Sequence, residues 1–228
     1  MEEAANVLFS IGPLEVTRPV VTMWVIIAVI AIVSFLATRK LKDVPGPLQN
    51  LAEMAVEKLR DMYSDTLSRE NLDRYLPVLG TFFIFILTCN YSGLLPGAGK
   101  AFAVPTASLS VTAGLSACAF FYNQFAGIRA KGVWGYFKAL CGPSVILLVL
   151  MLPLNIIEQF VRPFSLAMRL YGNIFGEETV TENLGHVLPL VLPLLMQVLS
   201  LLFGVLQAMV FTKLLAFYVE EATEESHD

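Results

Sequence analysis

The sequence predicts an all-α polytopic membrane protein. About five membrane-spanning helices are expected, plus one amphipathic helix on the cytoplasmic surface, with the last two spans long and tilted. Three observations carry this. The 228-residue chain is 56% hydrophobic and only 15% charged, where a soluble domain carries about 25% charged residues. Five stretches reach the roughly 20 apolar residues that a spanning helix needs. Lys and Arg gather in alternate loops, as they do in an oriented multi-pass chain.

The first span, 20–38, holds no charged residue. A cleaved secretory leader begins with a basic segment. This chain begins with Glu2 and Glu3, and its first apolar run starts late, so that run reads as an anchor. The longest hydrophilic stretch follows, 39–74, with Arg39, Lys40, Lys42, Lys58, Arg60, Arg69 and Arg74. Inside it, 48–66 reads as the amphipathic helix. Leu48, Leu51, Ala52, Ala55, Leu59, Met62 and Tyr63 recur at three- and four-residue steps, while Glu53, Glu57, Arg60 and Asp61 fall on other faces. Such a helix lies on the membrane surface, or else is a short soluble helix in a loop. The second span, 75–95, ends in a turn at Pro96, Gly97 and Gly99 with Lys100 beside it. The third, 104–128, leads to Arg129, Lys131 and Lys138. The fourth, 142–175, leads to a loop at 176–186 with Glu177, Glu178 and Glu182 but no basic residue, and the fifth is 187–217. This alternation places the N-terminus outside and the C-terminus in the cytoplasm. With no repeat and no low-complexity segment, residues 1–228 read as a single membrane domain.

Composition narrows the function. A net charge of -4 without a basic patch gives no footprint for nucleic acid. Cys89, Cys118 and Cys141 are far apart and sit in or beside apolar runs, so each reads as a buried small hydrophobe rather than a disulfide or metal ligand. No cofactor or metal site is expected.

The fourth span is unlike the others, with Glu158, Arg162 and Arg169 in an otherwise apolar helix. An Arg at the bilayer centre costs about 2.5–3.5 kcal/mol on insertion scales. Glu158 and Arg162 are four residues apart and face one another along a helix. They lie near the cytoplasmic end of the span, where long stems reach the interface, so a structural ion pair accounts for them at least as well as function does. Arg169 has Ser165, Leu166, Gly172 and Asn173 at the neighbouring helical steps and no acid among them. Arg stays protonated when buried, so its counter-charge must come from another helix or another chain. On the fifth span, Ser200, Gly204 and Gln207 form one stripe that can face it. Outward of Arg169 lie Asn173, Glu177, Glu178 and Glu182. These can descend from the outer surface as an aqueous cavity, joined by Asn90, Tyr91 and Ser92 from the second span. For Glu177 and Glu182 a solvated loop face is the simpler reading.

The run SLAMRLYGNIFGEE at 165–178 closely resembles the signature of subunit a of F-type ATP synthases. The likeness extends to LQAMVF at 206–211, to the acid–x3–Arg–Pro pattern of Glu158, Arg162 and Pro163, and to CNYSGLLPG at 89–97. It covers most of the chain in the same order. The resemblance implies a non-catalytic stator subunit in a bacterial cell membrane, beside a rotating ring of c subunits and a b-subunit peripheral stalk. Two offset half-channels would load and unload H+ or Na+ on the ring carboxylates. It implies that Arg169 is the gate, that Asn173 is its polar neighbour, that Glu178 is the acid of the outer half-channel, and that Gln207 is the glutamine on the next helix. Ser200 stands where some members have histidine, and Asn90 and Gly93 stand in a region where some carry acids, so the outer route is expected to differ in detail.

Other classes remain open on the residues alone. A secondary ion-coupled transporter would use Arg169 as substrate counter-ion, and would favour inverted repeats and broken helices in both halves, neither of which is visible. An assembly subunit would use Arg169 only to fix helix packing. An intramembrane enzyme would need a nucleophile–base pair or metal ligands at depth, whereas His186 and His227 lie near aqueous ends of the chain.

Overall fold

A computed structural model describes residues 7–11, 14–39, 45–94, 104–141, 145–185 and 191–223. Glu2, Glu3, Lys40, Lys42, Pro96, Gly97, Gly99, Lys100, His186 and His227 lie outside them, as do the side chains of Lys138, Cys141, Glu178 and Glu182.

Six helices make up almost all of the described chain. They are α1 (Arg18–Thr38), α2 (Pro47–Tyr63), α3 (Arg69–Tyr91), α4 (Leu109–Cys141), α5 (Val145–Gly185) and α6 (Val191–Thr223). An antiparallel hairpin of β1 (Val7–Ile11) and β2 (Leu14–Thr17) precedes them. The hairpin adds a small β element to the all-α expectation. Single 3-10 turns at Ser92–Leu94 and Pro105–Ala107 flank the connection between α3 and α4.

Among the described residues, α1, α3 with its 3-10 turn, and α6 are each long and apolar enough to cross a membrane. The other two long helices, α4 and α5, carry polar groups that dilute their hydropathy. These are Tyr122, Asn123 and Gln124 on α4, and Glu158, Gln159, Arg162 and Arg169 on α5. In α5 the charges collect on a few positions while Phe160, Val161 and Phe164 stay exposed, an outward surface that suits lipid and not water.

Two elements extend beyond the expected loops. Helix α4 continues through 129–138 and is broken only at Gly132, whose φ of 71° needs a residue without a Cβ. Trp134 beside the break is 88% exposed. Helix α5 continues to Gly185, so the predicted loop at 176–186 is helical nearly to its end. Backbone hydrogen bonding explains both extensions, since in hydrocarbon only a helix satisfies each N–H and C=O internally.

The core forms where α3, α4, α5 and α6 meet, around Leu79, Ile86, Leu170, Phe211 and Leu215, all essentially buried. The amphipathic helix α2 joins it through Leu59 and Tyr63, while Leu48, Leu51 and Met54 stay exposed. Burial pushes the Tyr63 phenol up to about 12, against a smaller pull from Thr212. The segment after α2 is clamped to the end of α6. Lys213 Nζ donates to Asp65 at 2.8 Å and holds that carboxyl below the usual carboxylate range. Glu220 accepts from the Ser68 backbone N–H at 3.0 Å and from Asn71 at 2.7 Å. That acid serves the first turn of α3, where backbone N–H groups lack partners. Cys89 is buried as expected, but Cys118 is exposed. It lines an apolar cleft of about 780 Å3 between α1, α3 and α4.

Candidate functional site

Two polar layers cross the bundle, and Arg169 lies between them. The first layer is built on Arg162, whose side chain is 18% exposed. It donates to Glu158 at 2.6 Å within α5 and to Glu221 at 2.9 Å at the end of α6, and its guanidinium lies 4.7 Å from the centre of the Tyr218 ring. The i,i+4 spacing made the first pair legible. Glu221 is 59 residues away in sequence and carried no such signal. Gln124 donates to Gln159 at 2.5 Å, Gln159 to the Tyr136 hydroxyl at 3.1 Å, and that hydroxyl to Gln124. Tyr136, Glu158, Gln159, Arg162 and Glu221, with Lys131 and Asn155, line a cavity of about 200 Å3.

The second layer joins α5 and α3 to α6. Asn173 Nδ2 donates to Gln207 Oε1 at 2.7 Å. Ser200 Oγ donates to Glu177. Asn90 Nδ2 donates to the Gly204 carbonyl at 3.1 Å, and the Tyr91 hydroxyl to the Leu201 carbonyl at 3.1 Å. Gly204 is what allows this approach, because a Cβ there would come within 2.9 Å of Tyr91 Cε1. Gln207 is 3% exposed and Asn90 6% exposed. Among the described residues, Gln207 Nε2 and Asn90 Oδ1 have no hydrogen-bond partner.

Arg169 stands on the outward face of α5, seven residues from Arg162 and four from Asn173, so about 10 Å and 6 Å from the two layers along the axis. Its side chain is exposed, as are Phe164, Ser165, Met168 and Gly172 around it. Among the described residues it makes no hydrogen bond and no ion pair. Ser200, Gly204 and Gln207 do share one face of α6, but Gln207 meets Asn173 and not Arg169. Ser200 meets Glu177, which the sequence placed in a solvated loop. Glu177 is instead helical and half-buried, and its neighbour Glu178 lies outside the described side chains. Among the described residues no group of three or more His, Cys, Asp or Glu is arranged to hold a metal ion.

A bundle of long helices, three of them apolar enough to cross a membrane, defines a multi-pass membrane protein. Residues 20–220 match the family described as ATP synthase A chain, and the chain belongs to that family. It is 38% identical over 212 residues to ATP synthase subunit a of Moorella thermoacetica, covering 93% of each chain. It is 37% identical over 218 residues to ATP synthase subunit a 2 of a Bradyrhizobium strain, covering 96% of this chain and 94% of that one. Against ATP synthase subunit a of Gloeobacter violaceus it is 35% identical over 235 residues, covering 100% and 93%.

Proposed function

We propose that this chain is the ion-translocating stator subunit of a rotary ATP synthase, a single membrane domain in a bacterial cell membrane with its N-terminus outside. It performs no catalysis of its own. Its partners are a ring of c subunits, a b-subunit peripheral stalk and the other subunits of the complex. One observation supports this above the rest. Arg169 faces outward from an apolar helix surface without a carboxylate of its own chain among the described residues, so its counter-charge is a ring carboxylate brought past it.

The chemistry follows from that placement. A fixed cation favours the ionised form of an approaching carboxylate, so the ring acid gives up its ion beside Arg169. The bare carboxylate cannot re-enter lipid, and rotation continues only after a new ion arrives from the other side. The cavity at Glu158, Arg162 and Glu221 suits the cytoplasmic half-channel, and the seam containing Asn173, Gln207, Ser200 and Asn90 suits the outer one. Arg169 between them repels cations that would otherwise leak straight across, and arginine keeps its charge at depth where lysine would not. Each charge crossing 100 mV supplies about 2.3 kcal/mol, so useful work accumulates over many ring steps.

Affinity purification of the tagged chain from its native membrane, in mild detergent, tests the assignment. The expected result is co-purification with a ring of small two-helix subunits. Recovery of the chain alone, or with unrelated partners, contradicts it and returns the transporter reading.

A further inference from the structure

Helix α1 is the most loosely held of the three spans that are long and apolar enough to cross a membrane. Only 17% of its span is buried, against 33% for α3 with its 3-10 turn and 33% for α6. Its buried residues are Pro19, Thr22 and Ile26, and no residue from Ile27 to Arg39 is buried. The helix leans on the bundle over its first turns and then stands free of it. The face beside that contact stripe, from Val20 through Ile27 to Ser34, is one wall of the apolar cleft of about 780 Å3. Thr81 and Phe85 of α3, with Gly114 and Cys118 of α4, form the other.

Size and charge select what fills this cleft. Val20 and Ser34 are 14 residues apart, so the wall runs about 21 Å along α1, longer than the roughly 15 Å of hydrocarbon in one leaflet. Over that length 780 Å3 gives a mean section of about 37 Å2. A helix about 10 Å across takes up roughly 80 Å2. A partner helix is too thick for the cleft, whereas acyl chains, each one methylene wide, fit along it. At the end marked by Ser34 and Thr81 two cations stand free. Arg74 lies seven residues before Thr81, on the same face of α3, and Arg39 follows the last turn of α1. Both are exposed, and among the described residues neither makes an ion pair. Their guanidinium groups lie 5.9 Å and 6.0 Å from the Tyr75 and Phe35 ring centres. Nearby acids do not neutralise Arg74. Asp73 is bonded to Arg60, and Glu70, one turn back, makes no ion pair with it. A free cation at the mouth of an apolar cleft between spans suits an anionic headgroup.

We propose that the cleft between α1, α3 and α4 binds an anionic phospholipid, with its acyl chains along the Val20–Ser34 face and its phosphate on Arg74. Arg39 adds a second positive charge at the same end. The bound lipid supplies the packing that the bundle withholds from the second half of α1. This site requires only the multi-pass fold and is independent of any role for Arg169.

Photolabelling tests this. The protein, purified with the subunits that accompany it and reconstituted in phosphatidylcholine vesicles, receives trace phosphatidylglycerol or phosphatidylcholine bearing a mid-chain diazirine, and the labelled peptides are mapped. Label is expected on the cleft walls of α1 and α4, at least about fivefold stronger with phosphatidylglycerol. Gly114→Phe is expected to remove most of it. An added Cβ at Gly114 meets nothing within 4 Å, so the ring enters the cleft without displacing protein. Ala31→Phe fills the cleft from the opposite wall and decides the matter if Gly114→Phe fails to assemble. Arg74→Gln is expected to keep the label and to lower the headgroup preference below about twofold. Label spread evenly around α1 and untouched by either phenylalanine variant means annular lipid only, and overturns the site. Equal labelling by the two lipids in the unaltered protein overturns it as well. A short bifunctional reagent that joins Cys118 to another polypeptide shows that protein fills the cleft, with the same consequence. None of these outcomes touches the subunit assignment, which co-purification reads separately.

Discussion

Asn173 donates its side-chain amide to Gln207 at 2.7 Å, tying α5 to α6 one helical turn outward of Arg169. This bond fixes how far the exposed guanidinium stands from the α6 surface. A hydrogen bond between membrane helices is worth about 0.6 kcal/mol on average, so its worth to stability is small compared with its worth to alignment. Gln207→Leu is therefore expected to lower thermal stability in detergent by about 1 kcal/mol or less. Ion-coupled ATP synthesis should fall far more. Equal, small losses in both would reduce the pair to packing.

Gly204 sets the spacing of α3 and α6. A methyl there would lie 2.9 Å from Tyr91 Cε1 and 3.4 Å from Asn90 Cβ. Because the Tyr91 ring edge can yield, Gly204→Ala is expected to be mild. Gly204→Val should cost about 1–3 kcal/mol and lose the Asn90 bond to the Gly204 carbonyl. Combining it with Tyr91→Leu should restore much of the thermal stability, and no restoration would place the clash elsewhere.

These two sites show what a linear chain discloses. The stripe of Ser200, Gly204 and Gln207 follows from helical periodicity, and the apolar runs mark the long helices. What each stripe residue touches depends on the register of another helix, and that register is set by packing over the whole interface. Gln207 therefore met Asn173 and not Arg169, and Glu177 emerged from a supposed loop because α5 runs on to Gly185. Glu221 was invisible for the same reason, since nothing local ties it to Arg162. The N-terminal hairpin had only two short runs around Gly12 and Pro13, too little pattern to outweigh the membrane signal that follows.

Arg162 holds two acids at once, Glu158 at 2.6 Å and Glu221 at 2.9 Å. Those acids are 54% and 47% exposed, so water screens much of their charge. Arg162→Ala is expected to destabilise by about 1–2 kcal/mol, well short of a fully buried pair. Glu221→Gln should cost less, and a double-mutant cycle should give a non-additive remainder. Strict additivity would mean that the α5–α6 bridge contributes nothing.

Tyr63 is fully buried, and among the described residues no group meets its hydroxyl in good hydrogen-bond geometry; the Thr212 hydroxyl, near enough to pull on the phenol, donates to the Ala208 carbonyl at 2.8 Å. Tyr63→Phe removes an unsatisfied group and should leave thermal stability unchanged or raised. Tyr63→Ala opens a cavity under α2 and should cost about 3–5 kcal/mol. A marked loss in the phenylalanine variant would show that the hydroxyl is bonded after all.

The most direct measurement concerns Arg169 itself. Vesicles carrying Arg169→Lys or Arg169→Ala, with the complex shown to be assembled by co-purification, should have no ATP synthesis driven by an imposed ion gradient. Lysine should fail as alanine does, because an ammonium at that depth sheds its proton and guanidinium does not. Synthesis at the wild-type rate in the alanine variant would mean that the exposed cation between the two polar layers is not the gate.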